Sequence, residues 1–392
     1  MKAASRRKRA KASRRDLKGG NVLADDPFPS VAPDTAGCTL AAAQRYAEIA
    51  SRGGWPSLPK PLVPGADAGD LALLRQRLES EADLPAGPDQ GAADARWDEA
   101  LTQAVKHYQL RLGLRQSGIV DEATLKALNV PATERARELQ ASAARLAVAR
   151  ELRFDERHVL VNIAGAEVEA IDGGRVVHRY AAVVGGKDHQ SPQIAARIPT
   201  IVINPTWTLP ASIIRNEVIP RMEKDPRYLS RMKIEILDRH GRRINPRSID
   251  WSSNEAAEYT LRQRAGRKNS LGTLKIDMPN KQQVYMHDTP AKALFARDYR
   301  FLSHGCVRVD GVYDLAVWLL SGVKDHRGDD YDVADIKRAV GRRDKQAIKL
   351  KRPVQVVWVY LDGWESPDGT VHFRDDIYGL DQASETPVSQ AR

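Results

Sequence analysis

The chain has 392 residues, 42% of them hydrophobic and 29% charged, with a net charge of +10. That balance fits a soluble globular chain of two or three domains, and no apolar run approaches the ~18 residues of a membrane span. The charge is uneven: residues 1–18 hold nine Lys or Arg and one acid, so the remainder carries only +2 and is not a basic nucleic-acid surface.

Residues 1–37 read as a basic tail and linker, expected to be disordered. Its basic block suits an anionic polymer or a membrane surface. No apolar segment of the signal-peptide kind follows that block. Residues 38–69 form an N-terminal scaffold segment, with a helical pattern from Thr39 to Arg52 that stops at Gly53-Gly54. From Asp70 three helices are predicted across residues 70–131. Leu71, Leu74 and Leu78 mark the first, Leu101, Val105, Tyr108 and Leu112 the second, and Leu125 and Leu128 the third. Asp121 stands where it can cap the third. A Pro/Gly loop from Leu84 to Asp94 separates the first two. Residues 132–153 read as a connector helix.

β-structure begins near His158. Predicted strands are Val159–Ile163, Ala166–Ile171, Arg175–Val184, Thr200–Ile203, Lys281–His287 and Pro353–Leu361. Asp172-Gly173-Gly174 and Pro367-Asp368-Gly369 are hairpin turns. Within Lys281–His287, alternation puts Val284 and Met286 on one face and Tyr285 and His287 on the other. A helix after Asp310, with Asp310 as its cap, carries Val312, Leu315, Ala316 and Leu319 inward. The spacing argues for an α+β multidomain chain whose larger domain is a β-rich sandwich or barrel, residues 154–206 and 272–381. Residues 207–271 interrupt it as an inserted helical cap, and 382–392 form a tail.

The chemistry concentrates in Ser303-His304-Gly305-Cys306-Val307-Arg308, with His287 nineteen positions before Cys306. A cysteine nucleophile needs a base, oxyanion donors and access. His287 and His304 can supply the first, the backbone N–H groups around His304 and Gly305 the second. On residue types alone, a buried free cysteine and a core histidine fit as well. One cysteine and two histidines lack the paired spacing of a zinc site, so no metal is expected.

The hexapeptide with its upstream histidine resembles the L,D-transpeptidase (YkuD-type) signature. The resemblance extends to Asn204-Pro205-Thr206-Trp207, Ile249-Asp250-Trp251, Lys268-Asn269-Ser270-Leu271-Gly272, His287-Asp288-Thr289-Pro290 and Phe373-Arg374-Asp375-Asp376-Ile377-Tyr378-Gly379, as in the large Gram-negative members with a cap. The three-helix unit is similar to small peptidoglycan-binding domains, through Tyr108-Gln109, Leu112-Gly113-Leu114, Gly118-Ile119-Val120 and Thr124; a plain helical bundle is the competing reading.

The resemblance implies Cys306 as nucleophile, His287 as its base and no cofactor. His304 and Gly305 would form the oxyanion hole, and Arg308, Tyr285, Ser303, Asn269 and Trp207 would contact substrate. Either the Asp288 carboxylate or a neighbouring carbonyl would orient His287. A nucleophilic Cys306 also argues against a disulfide with Cys38. The implied activity is formation of 3–3 crosslinks between peptidoglycan stem peptides through a thioester, with release of D-alanine. The alternatives are an L,D-carboxypeptidase and a catalytically silent wall-binding scaffold. Stem peptides and glycan strands are the expected partners, nucleic acid is not, and a monomer in the periplasm or cell envelope is expected.

Overall fold

The computed structural model describes residue 23, residues 26–85 and residues 96–381. The basic stretch 1–18, most of the 84–94 loop and the 382–392 tail lie outside the described residues.

The N-terminal part is helical. Helix α1 (Thr35–Ser51) is followed by α2 (Ala68–Glu79), α3 (Glu99–Arg111), α4 (Glu122–Leu128) and α5 (Ala132–Arg145). The predicted stripes are the buried faces: Leu71, Leu74 and Leu78 pack with Leu101, Val105, Tyr108 and Leu128 in one apolar cluster. Asp121 caps α4 as expected, accepting from the Thr124 N–H at 2.9 Å and the Thr124 hydroxyl at 2.7 Å. Helix α1 starts four residues before the predicted Thr39, at Thr35.

The supposed linker is corrected over residues 26–37. Ser30 donates to Glu169 from its N–H (3.0 Å) and its hydroxyl (2.8 Å), and Val31 is buried beside Leu160 and Val357. Pro and Asp there mark an irregular path, yet its polar groups find partners on the sheet, and that fixes it. The connector reading of α5 is also too weak. Leu139 is fully buried, Ser142 donates to Asp362 at 2.6 Å, and Arg145 holds Asp362 at 2.9 Å.

The next strands are β1 (His158–Asn162), β2 (Glu167–Asp172), β3 (Arg175–Gly185) and β4 (Ile194–Ile203). An insertion then runs through β5 (Trp207–Thr208), α6 (Ala211–Ile213), a π-helical turn at Ile214–Val218, α7 (Ile219–Lys224), α8 (Tyr228–Met232), β6 (Ile234–Leu237), β7 (Arg243–Ile244) and β8 (Thr260–Gln263). The chain returns as β9 (Leu274–Asp277), β10 (Met286–His287), β11 (Phe301–Ser303), β12 (Val307–Val309), α9 (Val312–Leu319), α10 (Val333–Arg342), β13 (Gln346–Val359), β14 (Gly363–Glu365) and β15 (Val371–Phe373).

The main sheet has nine strands in the order β11-β3-β12-β10-β9-β4-β13-β1-β2, and a further pairing of β3 with β2 closes it on itself. Inside lies a core of Val, Ile and Leu with Trp358 and Tyr360, against which α9 and Ile336 of α10 pack. The β-rich, multidomain α+β expectation holds, with three corrections. The insertion is not purely helical, since β5-β8-β6-β7 form a four-stranded sheet over its own core of Ile214, Val218, Leu229, Ile236 and Leu261. The 281–287 strand shrinks to Met286–His287, because the Asn280 side chain bonds both the Met278 and Val284 carbonyls and folds the preceding residues into a loop. Gly311, not Asp310, stands at the N-cap of α9.

Candidate active site

Three short strands build the site by register. Parallel pairing of β10 with β12 sets Met286 beside Val307 and His287 beside Arg308. Antiparallel pairing of β10 with β9 sets His287 beside Lys275. Met286, Val307 and Ile276 are buried in the barrel core. By alternation Tyr285, His287, Arg308, Lys275 and Asp277 face the other way. They line a cleft of about 730 Å³ together with Cys306, Ser303 and His304. The insertion forms the opposite wall with Trp207, Ile213, Glu217 and Arg221.

Cys306 is half-buried and free, as is Cys38. Burial pushes its thiol up from the ordinary value, while the Tyr285 N–H and the positive charge of Lys275 act the other way. His287 is buried, and its Nδ1 donates to the Asp288 carbonyl at 2.5 Å. A carbonyl only accepts, so Nδ1 carries the proton and Nε2 keeps its lone pair. Burial, then Arg308, holds the His287 pKa down to about 3, so the ring is neutral at physiological pH. The choice left open in the sequence is thereby made: the Asp288 carbonyl orients the histidine. The Asp288 carboxylate instead accepts from the Thr273 N–H (2.8 Å), the Thr273 hydroxyl (2.8 Å) and Lys292 (2.5 Å). Gly272 belongs here because a Cβ at that position would run into this carboxylate.

The motif itself is a tight turn. Gly305 has φ 102°, a region that L side chains rarely adopt. Its carbonyl accepts from the Ser191 hydroxyl at 2.8 Å, and the Tyr378 hydroxyl donates to the Gly185 carbonyl at 2.7 Å alongside. Across the cleft, Glu217 on the π-helical turn meets His304 Nε2 at 2.8 Å. The His304 and His189 rings lie 4.6 Å apart.

Residues 156–342 match the L,D-transpeptidase catalytic domain, and residues 68–128 a "Putative peptidoglycan binding domain". Residues 156–342 belong to the L,D-transpeptidase family. A relative from Haemophilus influenzae, "Putative L,D-transpeptidase", is 32% identical over 227 residues, 57% of this chain. The chain spans 44% of that relative's length. An L,D-transpeptidase from Xylanimonas cellulosilytica is 15% identical, covering 77% of this chain and 98% of its own, with a TM-score of 0.25. One from Mycobacterium smegmatis is 13% identical over 52% of this chain and 58% of its own, with a TM-score of 0.26.

Of the predicted site residues of this L,D-transpeptidase domain, Cys306, His287, Tyr285, His304, Arg308 and Trp207 line the same cleft. Two serve the scaffold instead. Asn269 is buried, donating to the Pro205 carbonyl (3.1 Å) and the Arg264 carbonyl (3.0 Å), and it ties the two ends of the insertion together. Ser303 touches the cleft but its hydroxyl donates to the Cys306 carbonyl at 2.5 Å and accepts the Gly305 N–H at 3.2 Å. That bond engages the Gly305 N–H, which removes it as a free oxyanion donor and leaves the His304 and Cys306 N–H groups as candidates. Reading the sequence missed Lys275, Asp277 and Glu217. For the first two a signal existed: Leu274 and Ile276 face inward, so Lys275 and Asp277 share the His287 side.

Among the described residues, one group of three could ligate a metal: Asp362, Asp376 and Asp381. It is not part of the cleft lining, and Arg145 already binds Asp362 and Asp381. No described helix is long and apolar enough to cross a membrane.

Proposed function

We propose that the chain joins peptidoglycan stem peptides through 3–3 crosslinks in the cell envelope, using a thioester on Cys306. The observation that carries this reading is a half-buried thiol and a neutral, oriented imidazole lining the same two-walled cleft. The Cys306 proton passes to His287 Nε2, and the sulfur lone pair attacks the carbonyl preceding the terminal D-alanine. The His304 and Cys306 N–H groups receive the oxyanion, each such donor worth about 3 kcal/mol of barrier. The C–N bond then breaks as His287 returns the proton to the departing D-alanine amine. A side-chain amine of a second stem attacks the thioester and releases the sulfur, its proton leaving through His287.

Charges of both signs in the cleft support two peptide partners. Arg308, whose Nε is buried without a hydrogen-bond partner among the described residues, suits a donor carboxylate. Glu217 and Asp277 suit an acceptor ammonium. The match of residues 68–128 supports glycan strands as the surface on which the enzyme works, and the periplasm as its compartment.

The test is incubation with disaccharide-tetrapeptide followed by mass spectrometry. A 3–3 dimer is expected, and Cys306→Ala should form none. A tripeptide alone would make the enzyme a carboxypeptidase, and unchanged substrate a silent scaffold.

A further inference from the structure

The turn that carries Cys306 is held largely through its backbone. The Ser303 carbonyl accepts the Gly186 N–H at 2.9 Å. The Gly305 carbonyl accepts the Ser191 hydroxyl at 2.8 Å. The Gly305 N–H donates to the Ser303 hydroxyl at 3.2 Å, and that hydroxyl donates to the Cys306 carbonyl. His304 differs. Among the described residues its own N–H and carbonyl have no hydrogen-bond partner. An oxyanion donor has to be left so, because an N–H already engaged cannot serve a developing charge. Its peptide must then be fixed by other means, and the His304 side chain supplies them.

Two contacts hold that ring. The His189 ring lies 4.6 Å away, and Glu217 Oε1 stands 2.8 Å from Nε2. A carboxylate only accepts, so Nε2 is the donor. Glu217 arrives from the insertion on the π-helical turn Ile214–Val218, whose Ile214 and Val218 are buried in the insertion's core. Its other oxygen meets Arg221 at 3.0 Å, and Arg221 donates to the Tyr228 hydroxyl at 2.9 Å. Tyr228 belongs to the same core. A half-buried carboxylate with both oxygens engaged has a set position. We propose that Glu217 is a positioning residue: from the insertion it holds the His304 ring, and through that ring the peptide whose N–H receives the oxyanion. This rests on the thioester reading of Cys306. Glu217 exchanges no proton in the reaction and acts through His304 alone.

The test compares two reactions of the same thiol on the full chain. Alkylation by iodoacetamide passes through no oxyanion; acylation by disaccharide-tetrapeptide does. Glu217→Ala should slow single-turnover acylation of Cys306, read by rapid-quench intact-protein mass spectrometry, by about 10–10². Its alkylation rate should be unchanged. Glu217→Gln keeps an accepting oxygen for Nε2 and should recover most of the loss. His304→Ala should match Glu217→Ala, and the double variant should be no slower than either. Circular dichroism and melting temperature establish that Glu217→Ala is folded; if it is not, His304→Ala decides. Unchanged acylation in the folded variant overturns the proposal. So does an equal loss of alkylation, which marks a general disturbance of the cleft. Crosslinking lost with acylation intact makes Glu217 an acceptor contact and overturns it too. A wild-type chain that forms no thioester with the peptide sinks the Cys306 reading itself.

Discussion

His287 joins a protonated Nδ1, fixed on the Asp288 carbonyl, to a free Nε2, and both follow from where the ring is buried. Replacing it with alanine removes the proposed proton shuttle but leaves the thiol. Acylation of Cys306, followed by intact-protein mass spectrometry, should slow by about 10²–10⁴. The same residue leaves a mark on stability. Its folded pKa of about 3 lies below an unfolded value of roughly 6.5. Between those limits the unfolded chain binds a proton that the folded chain refuses. Stability is therefore fully present above about pH 6.5 and falls as the pH drops towards 3. Urea unfolding at pH 7 and at pH 4.5 should show a smaller acid loss in His287→Gln than in the wild type.

Asn269 belongs to the scale of the element. It was expected in the cleft and instead joins the returning end of the insertion to the Pro205 and Arg264 carbonyls. Asn269→Ala leaves those carbonyls without their buried donor, at a cost of about 1–3 kcal/mol. Faster amide hydrogen exchange confined to residues 207–271 is the expected outcome, with the barrel strands unchanged. The error shows where reading from sequence stops. Cys306 and His287 could be singled out as candidates only through the resemblance of their motif to a family signature, and both line the one cleft. The two faces of Tyr285-Met286-His287 were legible because strand alternation has a fixed period. Asn269 and Ser303 were not, since whether an amide or hydroxyl turns to the cleft or the backbone depends on partners sixty residues away or on a turn's exact path. The strand ending at His287 was overextended for a similar reason: the Asn280 side chain competes with the ladder for the Val284 carbonyl.

At the scale of the molecule, the helices pack on the β14–β15 hairpin that follows the nine-stranded sheet. Phe373 of β15 is buried in the same cluster as Leu71, Leu101 and Leu139, with the Arg135 guanidinium 4.2 Å above its ring. Arg111 donates to the Val371 carbonyl at 3.0 Å, and Arg374 donates to the Arg111 carbonyl at 2.9 Å. Arg111 also holds Asp83 at 2.6 Å and Glu81 at 3.0 Å, all three buried or nearly so. Although burial pushes Glu81 up, Arg111 and Arg77 hold its carboxyl below the usual range. Arg111→Met takes a guanidinium from two buried carboxylates, leaving Asp83 with His107 and Glu81 with Arg77 and Tyr46, and should cost about 3–5 kcal/mol. Calorimetry should show helices and barrel losing structure in one lowered transition, not two.

That packing also decides how the chain can be taken apart. A recombinant catalytic half starting near residue 154 would lack the Ser142 and Arg145 partners of Asp362, and would open Phe373 to water. It should be harder to keep in solution than the longer chain. The helices that match the putative peptidoglycan binding domain are thus no detachable cassette: grafting them elsewhere, or exchanging them for a foreign module, means recutting the β14–β15 hairpin as well.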